Sequence, residues 1–135
     1  MDRSLILIKP DAFARNLTGE IISRFERKGL VLQALKLMTM NRELAERHYE
    51  EHAGKPFFAE LVEFVTSGPL VAMVVSGERA VEAARQVIGA TDPLQADAGS
   101  IRGEYAIGVG RNMVHGSDSD ASAAREVALF FPELA

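Results

Sequence analysis

Asn112-Met113-Val114-His115-Gly116-Ser117-Asp118 is the stretch of this sequence best suited to chemistry. Met113 and Val114 read as a short strand that delivers His115 to its end. Gly116 then frees the backbone for a turn, and Ser117 and Asp118 are residue types that cap a following helix. An imidazole at such a strand–turn–helix junction faces a cleft, where it can be a nucleophile, a general base or a metal ligand. The plain alternative is a packed histidine that only fixes the turn.

Other residues decide between these readings. Lys9 stands at the tip of the apolar run Leu5-Ile6-Leu7-Ile8, which Pro10 ends because proline cannot donate to a strand ladder. Arg85 lies off the apolar stripe of its predicted helix, Arg102 falls at an element end, and Thr91 adds a hydroxyl donor. Each alone reads as a solvated residue. Together with His115 they make a coherent phosphoryl-transfer site, since fixed cations lower the barrier to moving a group whose charge sits on its peripheral oxygens. A neutral imidazole can attack phosphorus and store the group as phosphohistidine. Ser117 and Glu126 can orient the ring from behind, leaving its other nitrogen free. Phe57 lies off the core stripe of its helix, where it stacks on a base or serves as one more core residue.

Two motifs carry less. His48-Tyr49-Glu50-Glu51-His52 matches H-x-x-E-H, a zinc-hydrolase pattern, but no downstream Glu ligand stands out. The alternative is a surface helix with two incidental histidines. Gly108-Val109-Gly110 starts a dinucleotide fingerprint that Met113 breaks, and there is no P-loop. If the protein handles nucleotides, their phosphates have to be held by side chains and a divalent ion.

The elements that position these residues follow from periodicity. Leu5–Ile8, Leu30–Met38 and Leu70–Val75 read as strands, the first and third central because they are apolar throughout. Gly19–Lys28 reads as a helix with Ile21, Ile22 and Phe25 inward and Gly29 as its stop. Asn41 caps a short helix running to about His52, and a second follows Pro56 with Phe58, Leu61, Val62 and Val65 on one face. A helix from about Glu78 to Ile88 buries Ala80, Ala83, Ala84, Val87 and Ile88. Thr91–Glu104 has no period and reads as a long functional loop. A weak strand near Tyr105, the His115 strand and a last helix follow, the helix with Ala124, Val127, Ala128 and Phe131 as its apolar face. The result is one α+β domain over residues 1–135: a ferredoxin-like βαββαβ sandwich with an antiparallel four-stranded sheet, helices on one face, a helical insertion and a long surface loop.

Composition narrows the class. The chain has 135 residues, 47% of them hydrophobic, with a net charge of -4 and both signs dispersed, which argues against a dedicated nucleic-acid binder. It has no cysteine, so thiolate chemistry is excluded. No apolar run approaches a membrane span and no signal-peptide pattern is seen, so a cytoplasmic location is expected.

The residues taken together resemble the nucleoside diphosphate kinase family. N-x-x-H-G-S-D at Asn112–Asp118 is similar to its active-site signature. Lys9-Pro10-Asp11, the block Gly19–Glu26, His48-Tyr49, Lys55–Phe58, Thr66–Pro69, Ile88–Thr91, Ile101–Gly103 and Phe130–Pro132 read like its blocks in order. The resemblance implies His115 as the phosphorylated nucleophile. Lys9, Arg85, Thr91 and Arg102 would contact phosphates, and Lys9 and Asn112 the ribose hydroxyls. Phe57 would stack on the base beside Leu61, opposite Val109. It makes Tyr49 a support for Lys9 and sets Ser117 and Glu126 behind His115. It implies ping-pong exchange between ATP or other nucleoside triphosphates and diphosphates, with low base selectivity. Mg2+ would ride on the nucleotide phosphates rather than on protein ligands. A homo-oligomer, hexamer or tetramer, is the implied assembly.

Overall fold

A computed structural model describes residues 2–135. Four strands, β1 (Asp2–Ile8), β2 (Val31–Met38), β3 (Leu70–Gly77) and β4 (Val114–Gly116), form one sheet in the order β2-β3-β1-β4. Every neighbouring pair is antiparallel. The helices are α1 (Pro10–Ala14), α2 (Thr18–Lys28), α3 (Arg42–His48), α4 (Phe58–Val65), α5 (Ala80–Ile88), α6 (Ile101–Tyr105) and α7 (Asp120–Phe130). This is the βαββαβ arrangement expected, with α3 and α4 inserted between β2 and β3.

The helices cover both faces of the sheet, which corrects the one-faced arrangement expected. Ile6 and Ile8 of β1 pack with Ile21, Phe25, Ala84 and Ile88 of α2 and α5. Leu5 and Leu7 point the other way, into Ala45, Val62, Val65, Val127 and Phe130 of α3, α4 and α7. The continuous apolar character of β1 and β3 follows from this, because a strand covered on both faces has no polar side. Each fully buried Leu or Ile contributes about 1.5–3 kcal/mol.

That two-sided burial aims the key histidine. Leu7 pairs with His115 in the β1–β4 register, while Ile6 pairs with Gly116 and Ile8 with Val114. Paired residues share a face, so His115 lies on the side of Leu7, toward α3 and α7. Gly116 lies against α5: a Cβ there would come within 2.5 Å of Ile88 Cδ1. Its φ is not among the positive ones, so this glycine is needed for close packing and not for the turn expected of it.

Three local expectations are revised. Tyr105 ends helix α6, capped by Ser100 through Gly103 N–H, and is not in a strand. Ser119, not Ser117 or Asp118, caps α7 by accepting from Ser122 N–H. The buried face of α7 is Ala123, Glu126, Val127 and Phe130, one step round from the predicted stripe, while Ala124 and Ala128 are exposed. Phe131 is buried beyond the helix end.

Candidate active site

The polar residues that the sequence singled out converge where β1 ends and β4 begins. Lys9 follows β1 directly and donates its backbone N–H to Met113 O at 3.0 Å. Its Nζ donates to Asn112 Oδ1 at 2.9 Å, and Asn112 Nδ2 donates to Thr91 O at 3.3 Å. The Arg102 guanidinium donates to three carbonyls, those of Asn112, Gly89 and Val114, at 3.2, 3.2 and 2.7 Å. Lysine has three donors and arginine five, so two on each remain for an anion. Burial, with the nearby Arg102 charge, lowers the Lys9 ammonium to about 8. Burial, with Arg85 nearby, lowers Arg102 to about 10.

The backbone beneath them is strained. Met113 has φ of 78°, and Val114 N–H donates to Asn112 O at 2.9 Å, closing a three-residue turn of the uncommon positive-φ kind. The side chain of Asp11 holds it by accepting from Met113 N–H at 3.1 Å. The sequence carried no signal of this strain, since methionine is an ordinary strand residue.

Behind His115, Glu126 Oε1 lies 2.8 Å from His115 Nε2 and accepts the Ser117 hydroxyl at 2.9 Å. Ser117 Oγ in turn accepts from Leu5 N–H at 3.0 Å, which fixes the group to the central strand. The carboxylate accepts, so Nε2 carries the ring proton and Nδ1 keeps its lone pair. The His115 side chain is 21% exposed and Glu126 only 6%.

His115 opens onto a cleft of about 820 Å³ lined also by Lys9, Tyr49, Phe57, Leu61, Thr91, Arg102, Val109 and Asn112. Phe57 caps α4 on one wall and is 44% exposed; Val109 is 55% exposed. Tyr49 is buried against the α3–α7 core, and burial with the Glu126 charge raises its hydroxyl to about 12. That keeps it a donor, though no hydrogen bond joins it to Lys9. Arg85 stands apart from the cleft wall: its guanidinium donates to Gly116 O at 3.2 Å, from the α5 side of β4.

The two histidines of the H-x-x-E-H match separate. His52 lies on a short 3-10 turn beside Phe57, at 5.4 Å between ring centroids. His48 ends α3 and is 3% exposed, which corrects the surface position expected for it. Its ring meets His115 edge-on, with centroids 4.7 Å apart, and neither ring nitrogen has a partner. Burial, with the neighbouring His115, Arg125 and Lys9, keeps His48 well below the usual imidazole range.

The family model for nucleoside diphosphate kinase matches residues 2–135. This chain belongs to that family. Among curated relatives, the nucleoside diphosphate kinase of Frankia casuarinae is 62% identical over 134 residues, 99% of this chain and 98% of that protein. That of Thermobifida fusca is 61% identical over 135 residues, the full length of both. Among solved structures, the Encephalitozoon cuniculi nucleoside diphosphate kinase matches with a TM-score of 0.95 at 46% identity, over 97% of this chain and 89% of that one. The Halobacterium salinarum nucleoside diphosphate kinase, solved in complex with CDP, matches with 0.94 at 47% identity, over 97% and 88%. Membership in the nucleoside diphosphate kinase family makes this chain a phosphotransferase acting between nucleoside triphosphates and diphosphates. No described helix is long and apolar enough to cross a membrane.

Proposed function

We propose that the chain works as one domain and exchanges phosphoryl groups by a ping-pong reaction through His115. Nδ1 attacks the terminal phosphorus of a nucleoside triphosphate. The P–N bond forms as the bond to the bridging oxygen breaks, and the diphosphate leaves with the electron pair. A second diphosphate reverses the step. Glu126 keeps the proton on Nε2 and stabilises the positive charge that the ring develops. The free donors of Lys9 and Arg102 meet the phosphate oxygens, joined by Thr91 and, after a modest reorientation from Gly116 O, Arg85. Asn112 orients Lys9 and reaches the ribose, and Tyr49 borders the same end.

The observation that carries this reading is the His115–Glu126–Ser117 chain at 2.8 and 2.9 Å, backed onto β1 and open at its far end to the cationic cleft. The base sits between Phe57, with Leu61 beside it, and Val109. Stacking reads a π-face that every base has, so selectivity among bases is low. The CDP bound to the Halobacterium relative is in keeping with nucleotides in this cleft.

Mg2+ asks for an octahedral shell of oxygen ligands. Among the described residues the one grouping of metal-ligand side chains, His48, His115 and Glu126, offers mostly nitrogen and does not fit it. We infer that Mg2+ enters on the nucleotide's own phosphates as part of the substrate. The enzyme would act in the cytoplasm as a homo-oligomer, either tetramer or hexamer. Edge strand β2 supports an assembly: Leu35 and Leu37 are 49% and 64% exposed on it, an apolar edge that a second copy can cover.

His115→Asn tests the reading. Exchange between ATP and a diphosphate is expected to vanish while diphosphate affinity stays within about threefold, because base and phosphates are held by other residues. Turnover in a clean His115→Asn preparation would remove the histidine from its role.

A further inference from the structure

The mechanism makes no use of the buried His48. His48 is closed off from solvent, yet both its ring nitrogens lack a partner. An unpaired buried imidazole carries a desolvation cost that a folded protein normally avoids. The orphaned ring belongs to a cluster: one ligand atom each from His48, His115 and Glu126 lie within 4.8 Å of one another.

We propose that His48, His115 and Glu126 form a binding site for a divalent transition-metal ion of the zinc class, and that its occupancy switches His115 off. Two imidazoles and a carboxylate, with a fourth position open, are a set that such ions accept. Bonds of about 2.0–2.1 Å hold ligand atoms about 3.4 Å apart, so side-chain rotation must draw the widest pair in by roughly 1.4 Å. The ion enters through the cleft, onto which His115 opens, and the fourth position takes water from it. Lys9 and Arg125, the latter bound to His48 O at 3.3 Å, oppose a cation here, and the Glu126 carboxylate offsets only one of those two charges.

The switch follows from the tautomer. Nε2 of His115 faces Glu126 and is the nitrogen the metal takes. A neutral imidazole that coordinates through Nε2 must carry its proton on Nδ1. The proton therefore moves from Nε2 to Nδ1 through solvent, the ring stays neutral, and the lone pair needed for attack is lost. Binding itself does not depend on the proposed catalytic role; only the inhibition does.

Co2+ and Zn2+, added to the full-length chain without nucleotide, test the site. One Co2+ per chain is expected, with the intense visible absorption of a low-coordinate site. His48→Phe is expected to weaken binding at least tenfold, and His52→Phe to leave it unchanged. On the unmutated protein, Zn2+ should shift the ring 15N resonances of His48 and His115 but not of His52, which keeps the test valid if His48→Phe folds poorly. Phosphorylation by ATP should then fall in proportion to occupancy and return with chelator. Absence of stoichiometric binding, or loss of binding with His52→Phe rather than His48→Phe, overturns the site. Binding at the site with undiminished phosphorylation overturns the switch alone.

Discussion

The two ends of the cleft are built on opposite principles. At the phosphate end, Lys9, Arg102 and Asn112 are 7%, 6% and 4% exposed and tied to one another and to the backbone before any ligand arrives. At the base end, Phe57 and Val109 are 44% and 55% exposed and no hydrogen bond fixes their side chains. Preorganised, desolvated cations recognise what every nucleoside triphosphate shares, at a cost to folding. Loose apolar lips accept what differs among nucleotides at almost no such cost. Under the function proposed above, selectivity for phosphate and tolerance of the base have separate structural sources.

The strongest way to break this contrast is Arg102→Met. It strips three carbonyls of their donor and removes the phosphate contact proposed for Arg102. Activity is expected to fall about 10³-fold, and stability by about 3 kcal/mol or more, read from exchange kinetics and denaturant unfolding. An intact Tm would deny that Arg102 is structural as well as functional.

Lys9 sharpens the contrast through pH. Below about 8 it is charged and available to phosphate; above, the free enzyme loses that charge. The nucleotide KM is therefore expected to rise about tenfold per pH unit from pH 8 to 9.5. Lys9→Met should abolish this dependence and raise KM already at pH 7. The folded value lies below the usual 10.5, so between about 8 and 10.5 the unfolded chain binds more protons and stability climbs with pH. At pH 7 the buried charge is a net burden. Removing that burden is worth up to about 3 kcal/mol, less about 1–3 kcal/mol for the donor that Asn112 Oδ1 loses, so Lys9→Met should be no less stable than wild type, unlike Arg102→Met.

Phe57→Ala gives the smallest effect. Losing one stacking face costs about 1–3 kcal/mol of nucleotide binding, so KM should rise by about tenfold or more for every base alike. Unfolding stability should move by less than about 0.5 kcal/mol. A change confined to one base would show that the lips read identity after all.

Much of this was legible in the sequence, for identifiable reasons. The unbroken apolar runs of β1 and β3 announced central strands, and Gly29, with φ of 103°, stops α2 where expected. Those same runs also implied cover on both faces, which the element order alone did not convey. The face of α7 was misjudged because Glu126 lies in it: a carboxylate breaks an apolar stripe, and only its partners Ser117 and His115, which lie outside the helix, make its burial tolerable. His48 was obscured for a like reason, since it ends a helix and its neighbour across the site is supplied by strand β4. Helix α6 has five residues and includes Gly103, whose place is set by the packed loop: a Cβ there would fall 1.9 Å from Asp97 O. Such contacts within an irregular segment have no periodic trace.

The most direct measurement is incubation of the wild-type chain with γ-labelled ATP and no acceptor, followed by acid and base treatment and peptide mapping. One label per chain is expected on His115 Nδ1, lost in acid, kept in base, and discharged by any nucleoside diphosphate. A label stable to acid, or one carried elsewhere when His115 is intact, would contradict the account.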